Sequence, residues 1–166
     1  MDALKNMGGF WVLNYWQIDV MRYPRIAERI TIGTHAYECR GFLGNRNFYM
    51  DDAEGRRIAV ANSLWTYLSA GTGLPARIPD IVIEKYGRDD RLEMEYEPRK
   101  IKIDKTEDMN SEQEFEVKQH HLDANRHVNN GQYVMMAAEY LPKEFKISRM
   151  RAEYKKAALL NDIIYP

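Results

Sequence analysis

The chain has 166 residues, with 24 Lys and Arg against 25 Asp and Glu and a net charge of −1 at pH 7; so even a balance gives no electrostatic case for nucleic acid. Its composition, 45% hydrophobic and 30% charged, is that of an ordinary globular chain, long enough for one domain or two small ones. No apolar run approaches the roughly 18–20 residues of a membrane span, Met1–Gly9 shows no signal-peptide pattern, and the single cysteine, Cys39, excludes an internal disulfide and points to a reducing, cytoplasmic setting.

Residues 10–70 read as antiparallel sheet. In Phe10–Met21, strict alternation puts Trp11, Leu13 and Tyr15 on one face and Val12, Trp16, Ile18 and Val20 on the other, until Pro24 breaks the strand. A second strand is expected over Arg29–Arg40, with His35 and Cys39 on a common face. Asn45–Met50 is a third, and Asp51–Gly55 is a hairpin turn whose glycine suits a positive φ. Arg57–Ser69 is the fourth strand. Gly71 and Gly73 lack the helix-opening third glycine of a phosphate loop. Pro79–Tyr86 reads as a short helix closed by Gly87, and Leu92, Met94 and Tyr96 alternate with glutamates in an extended segment. Polar residues 104–113 suit a linker. The domain expectation is therefore a first unit over 1–103, the linker, and a second unit over 114–166 comprising a strand (Phe115–His121), a helix (Val128–Leu141) and a further strand (Ile147–Leu159).

The densest chemistry lies between that strand and that helix. Asp123, Asn125, His127, Asn129 and Asn130 crowd into eight residues before a segment that is apolar on nearly every side. Asn-rich sequence suits a helix N-cap, where free N–H groups and the positive end of the dipole can hold developing negative charge. A helix apolar all round has to be surrounded, and a curved sheet is the expected wrapping. Met1–Gly9 could be the tail of another such helix, and both ends of the chain read as truncated. From spacing alone, Asp-x-Asn before a helix is also ordinary turn and capping chemistry.

The run HLDANRHVNNGQYV resembles the D-x-N-x-H-V-N-N-x-x-Y signature of acyl-acyl-carrier-protein thioesterases. The first half is similar to the same family in WVLNYWQIDVMRYP, in RNFYMDDAEG and in the SLW that precedes TGLPARIP, so the likeness spans roughly residues 9–166. It implies an α+β double hotdog, each unit a helix wrapped by a curved antiparallel sheet. It further implies hydrolysis of fatty acyl-acyl carrier protein to a free fatty acid, with no cofactor and no metal. Asp123, Asn125 and His127 would be the catalytic group. Trp65 and Tyr67 would line the acyl pocket, and Asn129 and Asn130 would meet substrate at the helix start. Where plant members carry Glu-Cys after a Tyr-Arg-Arg run, this chain has Ala157 and Ala158 after Tyr154-Lys155-Lys156.

Histidine exchanges protons near neutrality, so His127 is the natural general base. Asn125 would hold the water or the carbonyl, Asp123 would orient a neighbour or act as a base, and N–H groups from Val128 onward would face the oxyanion. His120, His121 and His127 lack the carboxylate or Cys spacing of a zinc site. The expected partner is acyl carrier protein, with a homodimer as a further expectation because half-open sheets expose edges. Rival readings are an acyl-CoA thioesterase and a non-catalytic hotdog acyl-binding protein.

Overall fold

A computed structural model describes residues 8–86, 89–103 and 111–166. The expected helix tail at the start and most of the 104–113 linker therefore lie outside the described residues. Four strands, β1 (Gly9–Val20), β2 (Thr31–Arg40), β3 (Leu43–Asp51) and β4 (Arg57–Ser69), precede helix α1 (Asp80–Tyr86). After them come β5 (Phe115–Glu116), a 3-10 turn (Gln119–His121), α2 (Asn130–Ala138), β6 (Arg149–Glu153) and β7 (Ile163–Ile164). The chain resolves into two compact units, Met1–Arg99 with Ile147–Glu153, and Lys100–Lys146 with Tyr154–Pro166.

In the first unit the strands form one antiparallel sheet in the order β2-β3-β4-β1-β6. The last strand expected from sequence, Ile147–Leu159, is thus only Arg149–Glu153, and it pairs with β1 rather than with the second unit. Two irregularities overturn the strict alternation. Leu13 faces Trp65 and Tyr15 faces Leu64, so Asn14 is an extra residue; in β2 the register slips between Ala36 and Glu38. Cross-strand partners share a face, and one inserted residue exchanges the faces for everything beyond it. Trp16 and Ile18 therefore join Trp11 and Leu13, opposite Ser63, Ala61, Tyr67 and Trp65, while Tyr15 moves to the other face with Gln17. His35 and Cys39 likewise part company, opposite Asn47 and Gly44 respectively.

The two faces differ in chemistry. On the first, Tyr67 packs with Ile78 and Val82 of the α1 region, with Trp11 and Tyr86 against them. On the second, a registered polar row crosses all five strands: His35, Asn47, Asn62, Gln17 and Arg151. Most of that row is spent on one irregular segment, residues 90–98. His35 Nε2 donates to the Asp90 carbonyl (3.0 Å), and Asn47 Oδ1 accepts from the Leu92 N–H (3.1 Å) and the Tyr96 hydroxyl (3.0 Å). Gln17 donates to the Glu95 carbonyl (2.7 Å) and accepts from the Glu97 N–H (2.9 Å), and Arg151 donates to the Pro98 carbonyl. Asn62 instead accepts from the Tyr37 hydroxyl (2.8 Å), whose own proton affinity burial pushes up to about 12. Buried polar groups need such partners, and here they tie down a segment that makes no ladder of its own.

The turn after β1 is held by ions. Arg22 forks onto Glu28 (2.9 and 2.6 Å) and reaches Asp52 (3.2 Å). The Arg22 guanidinium, then the Arg25 N–H, hold the Glu28 carboxyl from an ordinary 4.5 down to about 2. A depressed folded-state value contributes stability that is complete above about 4.5 and is lost as pH falls toward 2. Urea midpoints measured across that window should fall less steeply with acid in Glu28→Gln than in the wild type.

The second unit has a smaller core of Val117, Val128 and Ala158, with Leu122, Tyr133, Met136 and Ile164 packed on it. The strand expected over Phe115–His121 stops at Glu116, because the Lys118 N–H turns onto His121 Nδ1 (3.0 Å) and starts the 3-10 turn. The expected helix Val128–Leu141 contracts to Asn130–Ala138. Val128 is held in a bridge with Leu122, and the last turn tightens into i→i+3 bonds at Glu139, Tyr140 and Leu141 ahead of Pro142. Nor is the helix enclosed: none of its residues is buried, and Met135 is 61% exposed. Its Tyr133 and Met136 pack on Val117, Val128 and Ala158, and the described sheet of this unit is the two-strand pair β5–β7.

Candidate active site

Leu122 and Val128 bridge to close a tight turn, and the proposed catalytic trio sits on it. The Asp123 N–H donates to the His127 carbonyl (2.8 Å), and Arg126, at φ 63, takes the left-handed step that lets five residues reverse direction. Asp123 Oδ1 accepts from the N–H groups of Asn125 (2.8 Å) and His127 (3.3 Å). Its carboxylate therefore shapes the turn through backbone, and the orienting contact expected toward a side chain is made to main chain instead. Asn125 and His127 are exposed, and their side chains make no hydrogen bond among the described residues. The turn holds them on positions i and i+2 beside Asp123 and leaves their polar ends for a ligand.

The following helix start is largely committed. Val128 donates to the Ala158 carbonyl (2.9 Å) and Asn129 to that of His121 (2.9 Å). The Asn129 side chain caps α2 by accepting from the Gly131 N–H (2.8 Å). The expectation that N–H groups from Val128 onward face an oxyanion is corrected accordingly: in this stretch, Asn130 alone among the described residues keeps an N–H without an acceptor. Asn129→Ala should lower the stability of the second unit by about 0.5–2 kcal/mol, read as faster amide exchange at Gly131 and Gln132.

Tyr133, which closes the signature run, and Tyr154, neither assigned a role from sequence, fix this helix start. Tyr154 donates its hydroxyl to the Asn130 carbonyl (3.0 Å), and the Tyr133 hydroxyl accepts from the Ala158 N–H (2.9 Å). Their rings lie 6.0 Å apart. Burial, then Tyr133, pushes the Tyr154 hydroxyl up, so it stays a donor. Ala157 is exposed and Ala158 is buried, its main chain bonded to both Val128 and Tyr133. The signature contains Tyr133, but the partners of both hydroxyls lie 24 and 25 positions away, so their roles are read from coordinates. The His120 and His121 rings meet edge-on with centroids 4.1 Å apart; burial, then His120 and Lys118, pushes His121 below its ordinary value.

In the first unit, a cavity of about 390 Å³ opens on the face bearing Trp11 and Trp65, with Ala36, Gly44, Phe48 and Tyr86 around it. Trp65 is a wall residue of this cavity. Tyr67 stands behind Trp11 (5.2 Å, edge-on) in the core. Gly44 permits the close approach of Trp11, since a Cβ there would lie 2.9 Å from the indole ring. Arg46 closes one side, its guanidinium 5.1 Å over the Tyr86 ring. The bulge in β2 is what brings Cys39 to this wall.

Comparison with known proteins adds a further layer. The family model described as Acyl-ACP thioesterase N-terminal domain matches residues 1–86, and that of the Acyl-ACP thioesterase C-terminal domain matches residues 103–165. A chloroplastic oleoyl-acyl carrier protein thioesterase of Coriandrum sativum is 27% identical over 98% of the chain and 47% of its own length. The chain thus spans about half of that curated relative. An acyl-ACP thioesterase structure from Bacteroides thetaiotaomicron superposes with a TM-score of 0.81 at 24% identity, covering 96% of this chain and 65% of that one. The 12:0-ACP thioesterase structure from Umbellularia californica gives 0.79 at 21%, covering 98% and 62%. Both likenesses bear on the fold, an α+β double hotdog.

Proposed function

Because the chain belongs to the acyl-ACP thioesterase family, we propose that it hydrolyses the thioester joining a fatty acyl chain to acyl carrier protein, ending fatty acid synthesis with a free fatty acid. The observation that carries this reading is the Asp123–His127 turn, which holds Asn125 and His127 exposed directly ahead of a capped helix start. In the proposed step the His127 imidazole takes a proton from water as the oxygen attacks the thioester carbonyl carbon. Asn125 donates to that water or to the carbonyl oxygen, and the Asn130 N–H is the backbone donor available to the oxyanion. The C–S bond then breaks, the thiolate takes the proton back from His127, and a carboxylic acid leaves.

Asp123 acts through the turn: its carboxylate sets the backbone from which Asn125 and His127 project. Tyr154 and Tyr133 are positioning residues for the Asn130 end of the helix. The acyl chain is assigned to the first-unit cavity, with Trp65 as a wall and Tyr67 supporting Trp11 from behind. Asn129 serves the site as its helix cap. Neither a metal nor a cofactor enters this scheme.

No described helix is long and apolar enough to cross a membrane. A reducing, cytoplasmic location is part of the proposal, motivated by Cys39 as the sole cysteine. So is a homodimer, motivated by β2 as the outer strand at one end of the sheet.

Steady-state hydrolysis of medium- to long-chain thioesters on acyl carrier protein and on coenzyme A tests the function. Turnover of the carrier-protein series is the expected result. Turnover confined to coenzyme A thioesters would replace the substrate assignment, and acyl binding without turnover of either would replace the enzyme by a binding protein.

A further inference from the structure

At the end of the first sheet where β1 leaves for β2, loop 21–30 meets the β3–β4 hairpin around a cleft of about 770 Å³. Its most unusual lining residue is Ile26, fully open to solvent at 102% relative exposure. The next residue, Ala27, holds a left-handed φ of 65, a conformation disfavoured for a residue with a Cβ. An isoleucine so exposed contributes no burial to its own fold.

Arginines surround it, and their charges do not cancel at the surface. Asp52 and Glu28 are 1% and 17% exposed, against 39% for Arg22 and 72% for Arg56, to which they are bonded. Asp51 is 17% exposed beside Arg57 at 35%. Glu54, paired with Arg56, is the acid of this ring that reaches water, at 65%. Arg25 and Arg29 are exposed with no ion-pair partner among the described residues. The carboxylates thus form a floor and the guanidinium groups a rim. Asp52 lies under two of those groups at once, bonded to Arg22 and Arg56. Guanidinium groups fixed beforehand lose little freedom when a partner arrives. An apolar centre inside an arginine-rich polar rim is the composition of a protein-protein contact.

We propose that this end of the sheet docks an acidic protein surface that offers a small apolar pit for Ile26. In the thioesterase reaction, that protein is the acyl carrier protein; this assignment of the occupant rests on the function proposed above. The positive rim matches an acidic protein by charge. Ile26 is the exposed large apolar residue lining the cleft, too small an apolar surface for lasting membrane attachment, and the net charge of −1 disfavours nucleic acid.

The test is direct binding of apo-carrier protein, free of any acyl group, to the full chain and to Arg25→Glu, Ile26→Asp and Arg77→Glu variants. Arg77 is 84% exposed and lies outside the cleft, so it controls for net charge. Wild-type affinity should fall with salt, and Arg25→Glu and Ile26→Asp should each weaken it by about tenfold or more while Arg77→Glu changes it less than about twofold. Hydrolysis of an acyl-pantetheine thioester should be untouched by all three. Equal binding by every variant, equal weakening by Arg77→Glu, or wild-type binding to anionic vesicles instead of carrier protein overturns the docking surface. Loss of binding in the cleft variants, in a chain that hydrolyses no carrier thioester, would support the surface and overturn the enzymatic reading alone.

Discussion

His127→Ala is expected to cut hydrolysis of carrier-protein thioesters by about 10²–10⁴ while leaving the folded state intact. The separation follows from what each part of the residue does. Its main chain is structural: the carbonyl accepts from Asp123, the N–H donates to the Asp123 carboxylate, and the backbone bridges Leu159. Alanine preserves all three. Its imidazole is exposed and makes no hydrogen bond among the described residues, so the fold loses little when it goes. A paired measurement of kcat and urea midpoint therefore reads chemistry and folding independently. Undiminished kcat would remove His127 from the reaction. Asp123→Asn is an informative companion, because its amide oxygen can still accept from Asn125 and His127. If Asp123 only shapes the turn, that variant keeps most of its rate; if it is a base, the rate collapses as in His127→Ala.

Asn47→Leu carries the largest expected effect on stability. Asn47 is wholly buried, donates to the Ala61 carbonyl (3.1 Å), and accepts from the Leu92 N–H and the Tyr96 hydroxyl. Leucine has a similar volume, so no cavity opens, but the Ala61 carbonyl and the Leu92 N–H both lose their Asn47 partner, while the Tyr96 hydroxyl keeps the Leu92 carbonyl at 3.0 Å. Each buried group left unsatisfied costs about 1–3 kcal/mol, and each kcal/mol shifts the midpoint of a chain this size by about 2–4 °C. Thermal unfolding should show a fall about twice that expected for one group, with amide exchange accelerating first at Leu92, whose N–H loses its acceptor. A variant that melts like the wild type would mean that segment 90–98 is held by other forces.

These two residues also mark how far the sequence could be read. His127 was legible because its neighbours Asp123, Asn125 and Asn129 form a local, spaced pattern, and local patterns survive in one dimension. Strands β1 to β4 and α1 were legible for the same reason, from alternation, turn glycines and a proline at a helix start. Asn47 was not, since its partners lie some 14 to 49 positions away. The faces of β1 and β2 were misread because alternation carries no sign of an inserted residue at Asn14 or near Tyr37. The enclosed helix failed for a different reason. An apolar sequence states that a helix should be covered, and α2 is covered only where Val117, Val128 and Ala158 meet it.

Strand β6 has a consequence for how the molecule is made. Arg149 pairs with Asp19 across a separation of 130 residues, so the outer edge of β1 waits for a segment synthesised 130 residues later. At roughly 5–20 residues per second, that wait is about 6–26 s. Throughout it, Tyr15–Asp19 presents unpaired backbone groups next to Trp16 and Ile18, an invitation to pair with another nascent chain. The first unit therefore cannot be cut out as a contiguous piece: a fragment ending at Arg99 would keep that edge open permanently, whereas one joining residues 8–99 to 147–153 through a short loop would close it.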